Sequence, residues 1–132
     1  MGCWLMKSEP ASYGWDDLVR EGGTDWDGVR NASARLHLRA MQPGDEALLY
    51  HSGGEKAAVG IMRIVRAAEP DAQDAAWLSV RVEPVRRLAT PVTLATMNAD
   101  PRLAALAMIR QPRLSVSPVR EDEWAAIIDL GR

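Results

Sequence analysis

Six consecutive residues, Trp26-Asp27-Gly28-Val29-Arg30-Asn31, combine an aromatic face, an unhindered backbone position, a cationic fork and an amide. That set suits holding a nucleobase. An indole offers a stacking surface, Gly28 lets the backbone approach a ligand closely, and Arg30 and Asn31 carry the donor and acceptor patterns that read base edges. The same residues also fit a buried Trp26 anchoring a turn, with Arg30 in solvent and Asn31 capping the next helix.

Two further clusters carry polar chemistry. Tyr50-His51-Ser52 ends a strand-like run beside Gly53-Gly54, which places hydrogen-bonding groups at a sheet rim; the glycines themselves are explained by a tight connection. Side chains alternate along a strand, so Tyr50 and Ser52 should face one way and His51 the other. Lys7-Ser8-Glu9 could supply a lysine-activated hydroxyl or water with a carboxylate as proton shuttle, but the same alternation sets neighbours apart. His37 and His51 are far apart in sequence and no histidine or cysteine pair accompanies them, so no metal or other cofactor is implied.

These residues need elements to hold them. Cys3 to Ser8 reads as a strand ended by Glu9-Pro10, with Trp4, Met6 and Ser8 on one face and Leu5 and Lys7 on the other. Trp15, Leu18 and Val19 recur at helical spacing before Gly22-Gly23. A second helix is expected from Asn31 to Met41, with Ala34, Leu38 and Met41 inward and Pro43-Gly44 as its stop. Asn31, Arg35 and Arg39 align on another face. Strands follow at Glu46–Ser52, Ala57–Ala67 and Trp77–Leu88, then short helices at Thr93–Asn98 and Pro101–Ile109. A short strand holds Leu114 and Val116 in alternation with Ser115 and Ser117. The last helix turns Trp124, Ile127 and Ile128 inward and puts Glu121, Asp122 and Glu123 at its positive end. Sequential, mostly antiparallel strands with helices inserted imply an α+β fold, and a small barrel with flanking helices resolves the edge problem best.

Composition narrows the classes. The chain has 132 residues, 47% hydrophobic and 26% charged, which predicts one domain over 1–132 that folds without staples. Cys3 is the single cysteine, which excludes an internal disulfide and fits a reducing compartment. The longest apolar run, Leu103 to Ile109, is too short to span a bilayer. The N-terminus reaches Lys7, Ser8 and Glu9 at once and reads as lacking a secretory signal, so the cytoplasm is the expected location. A formal net charge of -2 argues against a non-specific nucleic-acid coat. A local basic groove is still compatible, because Arg30, Arg35, His37 and Arg39 cluster, as do Arg110 and Arg113.

Taken in order, Trp4-Leu5-Met6-Lys7-Ser8-Glu9-Pro10, Trp26-Asp27-Gly28-Val29-Arg30-Asn31, Tyr50-His51-Ser52 and Arg113-Leu114-Ser115-Val116 resemble the EVE domain family, over essentially Met1 to Leu130. The resemblance implies a PUA-like fold, related to YTH and ASCH domains, and recognition of modified bases in DNA or RNA, with modified cytosines such as 5-methylcytosine foremost. It implies pocket roles for Lys7, Ser8, Trp26, Gly28, Val29, Arg30, Asn31, Tyr50, His51 and Ser52, and a lesser one for Ser115. Cys3 stands where the family commonly has tyrosine, and Ala32-Ser33 replace a common Tyr-Gln; both departures bear on which base is preferred.

The leading expectation is a non-catalytic, monomeric reader that stacks an extruded or single-stranded base on Trp26 or Tyr50. Asn31, Ser8 and the backbone around Gly28 would check its edge, and Lys7, Arg30, Arg35 and Arg39 would meet flanking phosphates. The alternative is a small hydrolase of a modified nucleoside or amide, worked by Lys7, Ser8 and Glu9; a module binding a protein through an aromatic patch is a third reading with no specific residue behind it. No membrane partner is expected. On this reading Trp26→Ala abolishes binding while leaving the chain folded.

Overall fold

A computed structural model describes residues 2–132. Its elements run β1 (Cys3–Ser8), α1 (Trp15–Glu21), β2 (Thr24–Trp26), α2 (Ala32–Ala40), β3 (Glu46–His51), β4 (Ala57–Pro70), β5 (Leu78–Thr93), α3 (Leu94–Ala99), α4 (Ala107–Arg110), β6 (Val116–Val119) and α5 (Glu121–Leu130). The strands form one sheet in the order β2-β5-β4-β3-β1-β6. All pairs are antiparallel except β1 with β3. That parallel pair requires a long crossover, supplied by α1, β2 and α2. The fold is therefore α+β, as expected, but the sheet does not close into a barrel; α2 packs against β4, β5 and β6 and so spans the opening.

Curvature comes from the long β4–β5 hairpin. Its register shifts at several points, between Ala58/Gly60, Ile61/Met62, Ile64/Arg66 and Arg66/Glu69, and each extra residue bends and twists the sheet locally. At Gly60 the Trp15 indole lies directly on the backbone, where a Cβ would overlap it. Glycine there lets α1 sit flush on the sheet.

Both sheet faces are covered. Trp4, Met6, Leu18, Leu38, Leu49 and Val80 belong to one core, and Leu5, Leu48, Leu88, Met97, Leu106 and Ile127 to the other. The split follows the alternation of β1, as expected for a central strand. A buried carboxylate, Asp45, accepts bonds from Gly2 N, Trp4 Nε1 and Gln42 N, each at 3.0 Å, which ties the start of β1 to the turn before β3.

Several expected elements shift. β2 reads as loop in the sequence, because three residues are too few to show alternation; pairing Trp26 with Val80 creates it. The helix expected over Pro101–Ile109 divides into a 3-10 turn at Pro101–Leu103 and α4, since Leu103, Leu106 and Met108 all insert into the second core. Val19, which shares the helical spacing of Trp15 and Leu18, is 52% exposed; seven residues of α1 resting on Gly60 through Trp15 leave it beyond the contact. The last strand begins at Val116 rather than Leu114.

Replacing Gly60 with valine is expected to push α1 off the sheet and destabilise the fold by about 2–3 kcal/mol, measured as a lower urea midpoint with unchanged slope.

Candidate nucleic-acid interface

The sequence-predicted residues gather around the C-terminal end of β1, but on two faces of the sheet. Lys7 pairs with Tyr50 and Ser8 with His51, so each pair of side chains shares a face. Ser8 opens on a concavity of about 180 Å³ lined by Ser8, Tyr13, Thr24, Asp25, Trp26 and Asp27. Lys7, Tyr50 and Ser52 open instead on a larger cleft of about 410 Å³. Asn31 lines a third concavity with Ser33 and the Gln111–Leu114 segment.

In the first concavity Ser8, Asp25 and Asp27 offer acceptors, alongside the Trp26 Nε1–H and the Thr24 hydroxyl. Ser8 Oγ donates its proton to the Tyr13 carbonyl at 2.5 Å, which leaves its lone pairs toward a ligand. Tyr13 donates its hydroxyl to Glu21 at 2.6 Å, and burial together with that bond pushes its pKa up to about 12. Asp25 lies within 3.8 Å of Arg66 and 3.5 Å of Arg81. Asp27 is exposed and forms no ion pair among the described residues. Trp26 is 8% exposed and belongs to the first core while lining this wall.

That burial corrects one expectation. Truncating Trp26 to alanine removes a core side chain, at a cost of about 3–5 kcal/mol, so the variant is not a fold-neutral test of stacking.

The rest of the Trp26–Asn31 segment is held by a residue that the sequence reading missed. Asp71 is buried and accepts from Gln73 N at 2.8 Å, Gly28 N at 3.0 Å and Arg30 at 3.1 Å. The backbone bonds from Gln73 and Gly28, with Arg30 alongside, hold its carboxyl down at about 2. Gly28 has φ +74°, a left-handed conformation that glycine adopts without strain. Arg30 also lies 5.8 Å from the Trp77 ring centre, and Arg35 stacks at 5.1 Å while donating to the Ala76 carbonyl at 3.1 Å. Trp77 thus sits against two guanidinium groups. Asp71 follows the turn signal Glu69-Pro70, but forty-odd residues separate it from Gly28 and no local pattern links them.

Other named residues have structural work. Asn31 caps α2, its side chain accepting from Ala34 N at 2.9 Å. Val29 is buried in the first core. His51 Nε2 accepts from Trp15 N at 3.2 Å, serving an orphan donor at the start of α1; burial, with Arg87 adding to it, lowers its pKa. Ser115 supplies a carbonyl to Lys7 N at 2.9 Å. Arg39 is exposed. Lys7 and Ser8 face apart, and Glu9 lies over Gly53, whose missing side chain leaves room for the carboxylate. Lys7, Ser8 and Glu9 therefore do not converge on one point. No group of three metal-ligating side chains occurs among the described residues, and no helix is long and apolar enough to cross a membrane.

A six-stranded α+β sheet of this order, with β1 and β3 parallel and helices packed on both faces, is a PUA-like domain. The chain belongs to the EVE domain family, whose model matches residues 2–130. It is similar to a solved Rhodopseudomonas palustris protein, Rpa0253, with 46% identity and TM-score 0.94 over 99% of this chain and 93% of that one. Human thymocyte nuclear protein 1 is 31% identical over 96% of this chain and 72% of its own length. A structure of the human protein in complex with 5-methylcytosine-containing DNA superposes with TM-score 0.94 and 30% identity, covering 100% of this chain and 98% of that chain. A Zymomonas mobilis ASCH protein shares the fold alone, at 10% identity and TM-score 0.59 with both chains fully covered.

Because the folded Asp71 carboxyl sits below its unfolded value, its stabilisation is fully present above about pH 4 and is lost as pH falls through about 2. Asp71→Ala is expected to cost about 3 kcal/mol at pH 7. The gap from the parent chain should narrow toward pH 2 in urea titrations across pH.

Proposed function

We propose that this chain is a non-catalytic reader of modified cytosine in DNA, taking the extruded base into the concavity between Ser8 and Trp26. One observation carries the reading: Ser8 Oγ and Asp27 offer unused acceptors at that concavity, and cytosine presents an exocyclic amine as donor. Ser8 Oγ has given its proton to the Tyr13 carbonyl, and Asp27 is an exposed carboxylate in no ion pair among the described residues. The complex of the human relative with 5-methylcytosine DNA supports the same ligand class.

The energetics fit a reader. Stacking a base on an aromatic side chain contributes about 1–3 kcal/mol, comparable with the few kcal/mol that extruding a base costs. Trp26, packed into the first core and 8% exposed, is pre-ordered where it lines the wall, so little side-chain entropy is lost on binding. Asp27 accepting the N4 amine would discriminate cytosine from thymine, while a 5-methyl group adds only apolar contact. The separation of Lys7 from Ser8 across β1 supports binding without turnover.

Asp27→Ala and Ser8→Ala are each expected to weaken binding to a 5-methylcytosine oligonucleotide by about 1–3 kcal/mol, read by competition against unmodified cytosine, 5-hydroxymethylcytosine and N6-methyladenine in DNA and RNA. Wild-type affinity in Asp27→Ala sinks the acceptor argument, and preference for an RNA ligand sinks the assignment to DNA. Incubation with N4-acetylcytidine should yield no product by chromatography; turnover would make the protein an enzyme. Trp26→Phe, which keeps a ring in the core, replaces the alanine variant.

A further inference from the structure

The cleft on the other side of β1 is built for a different chemical group. Lys7, Tyr50, Ser52, Lys56 and Asn98 surround it, Met108 and Ile109 wall it, and no carboxylate lines it. Through Pro112 it adjoins the concavity that holds Asn31 and Arg113, which also lacks a carboxylate. The Ser8–Trp26 concavity, by contrast, is edged by Asp25 and Asp27. The two sides of the strand end therefore differ in their lining charges: Lys7 and Lys56 on one, Asp27 and an Asp25 shared with Arg66 and Arg81 on the other.

Tyr50 adds a second observation. The residue is 2% exposed, yet its hydroxyl has no hydrogen-bond partner among the described residues and is not sealed from solvent. Buried tyrosine hydroxyls ordinarily find partners. This one opens on the cleft as a free donor beside Lys7, whose Nζ lies 5.9 Å from the ring centre. Lys7 spends one N–H on the Pro112 carbonyl at 2.7 Å, and an ammonium has three.

We propose that the Lys7–Tyr50–Lys56 cleft is a phosphate site, receiving the diester that adjoins the base held between Ser8 and Trp26. The assignment to a backbone diester rests on the reader function above. Lys7 and Ser8 are consecutive, with Cα atoms about 3.8 Å apart, so one nucleotide can straddle the end of β1. Its base meets acceptors on one face, and its anion meets Tyr50, Lys7 and Lys56 on the other.

The test uses the full chain, isotope-labelled for NMR, titrated with inorganic phosphate and with dimethyl phosphate. Saturable shifts at Lys7, Tyr50 and Ser52 with both probes are expected. Tyr50→Phe should weaken each about tenfold while leaving the melting temperature unchanged, because the hydroxyl holds nothing in the protein. In DNA binding, the double variant Lys7→Gln/Lys56→Gln should lower the salt slope by about 1 and weaken modified and unmodified oligonucleotides alike, since phosphate contacts carry no base information. Absence of shifts with either probe overturns the site. Shifts with inorganic phosphate alone overturn the diester as its source, and loss of base discrimination in the double variant reassigns the cleft to the base. If the Ser8 and Asp27 variants keep full affinity while phosphate still shifts the cleft, the base pocket fails and the phosphate site stands.

Discussion

Strand β1 is the constraint on which the other parts depend. It hydrogen-bonds to β3 on one side and β6 on the other, and its middle residues Trp4, Leu5 and Met6 are buried on both faces. A strand so enclosed cannot slip by one residue without exchanging its two apolar sets, so its register is strongly specified. The same alternation continues past the core to the strand end. There Lys7 and Ser8 emerge into two concavities that differ in charge and hydrogen-bonding character.

The Trp26–Asn31 segment depends on this frame from outside. Trp26 enters the sheet through β2 and fills the first core, while Asn31 starts α2, the helix that spans the sheet opening. Between them the chain turns at Gly28, and the buried carboxylate of Asp71 holds that turn by its backbone N–H and by Arg30. A charge so placed is stable only because several donors converge on it. The loop that presents the pocket wall is thus fastened at both ends and at its middle, as pre-organised recognition requires.

Polar residues at the interface divide by whether the fold already uses them. His51 Nε2, Asn31 Oδ1 and one Arg30 nitrogen are engaged with Trp15 N, Ala34 N and Asp71. Ser8, Asp27, Tyr50 and Lys7 retain unused capacity beside a concavity. In the proposed reader the second set meets the ligand, and the first holds the frame around it.

Much of this was legible in the residues themselves. The strand at Cys3–Ser8, the helices opened by Trp15 and capped by Asn31, and the opposite facing of Tyr50 and His51 all follow from local periodicity and capping chemistry, which act over a few residues. What tertiary structure decided is non-local: that β1 and β3 run parallel, that Asp71 reaches Gly28 across forty-odd residues, and that Trp26 is core as well as wall. Periodicity states which side of an element a residue occupies. What lies on that side depends on long-range pairing, and so one apparent cluster of pocket residues divides between two concavities with different linings.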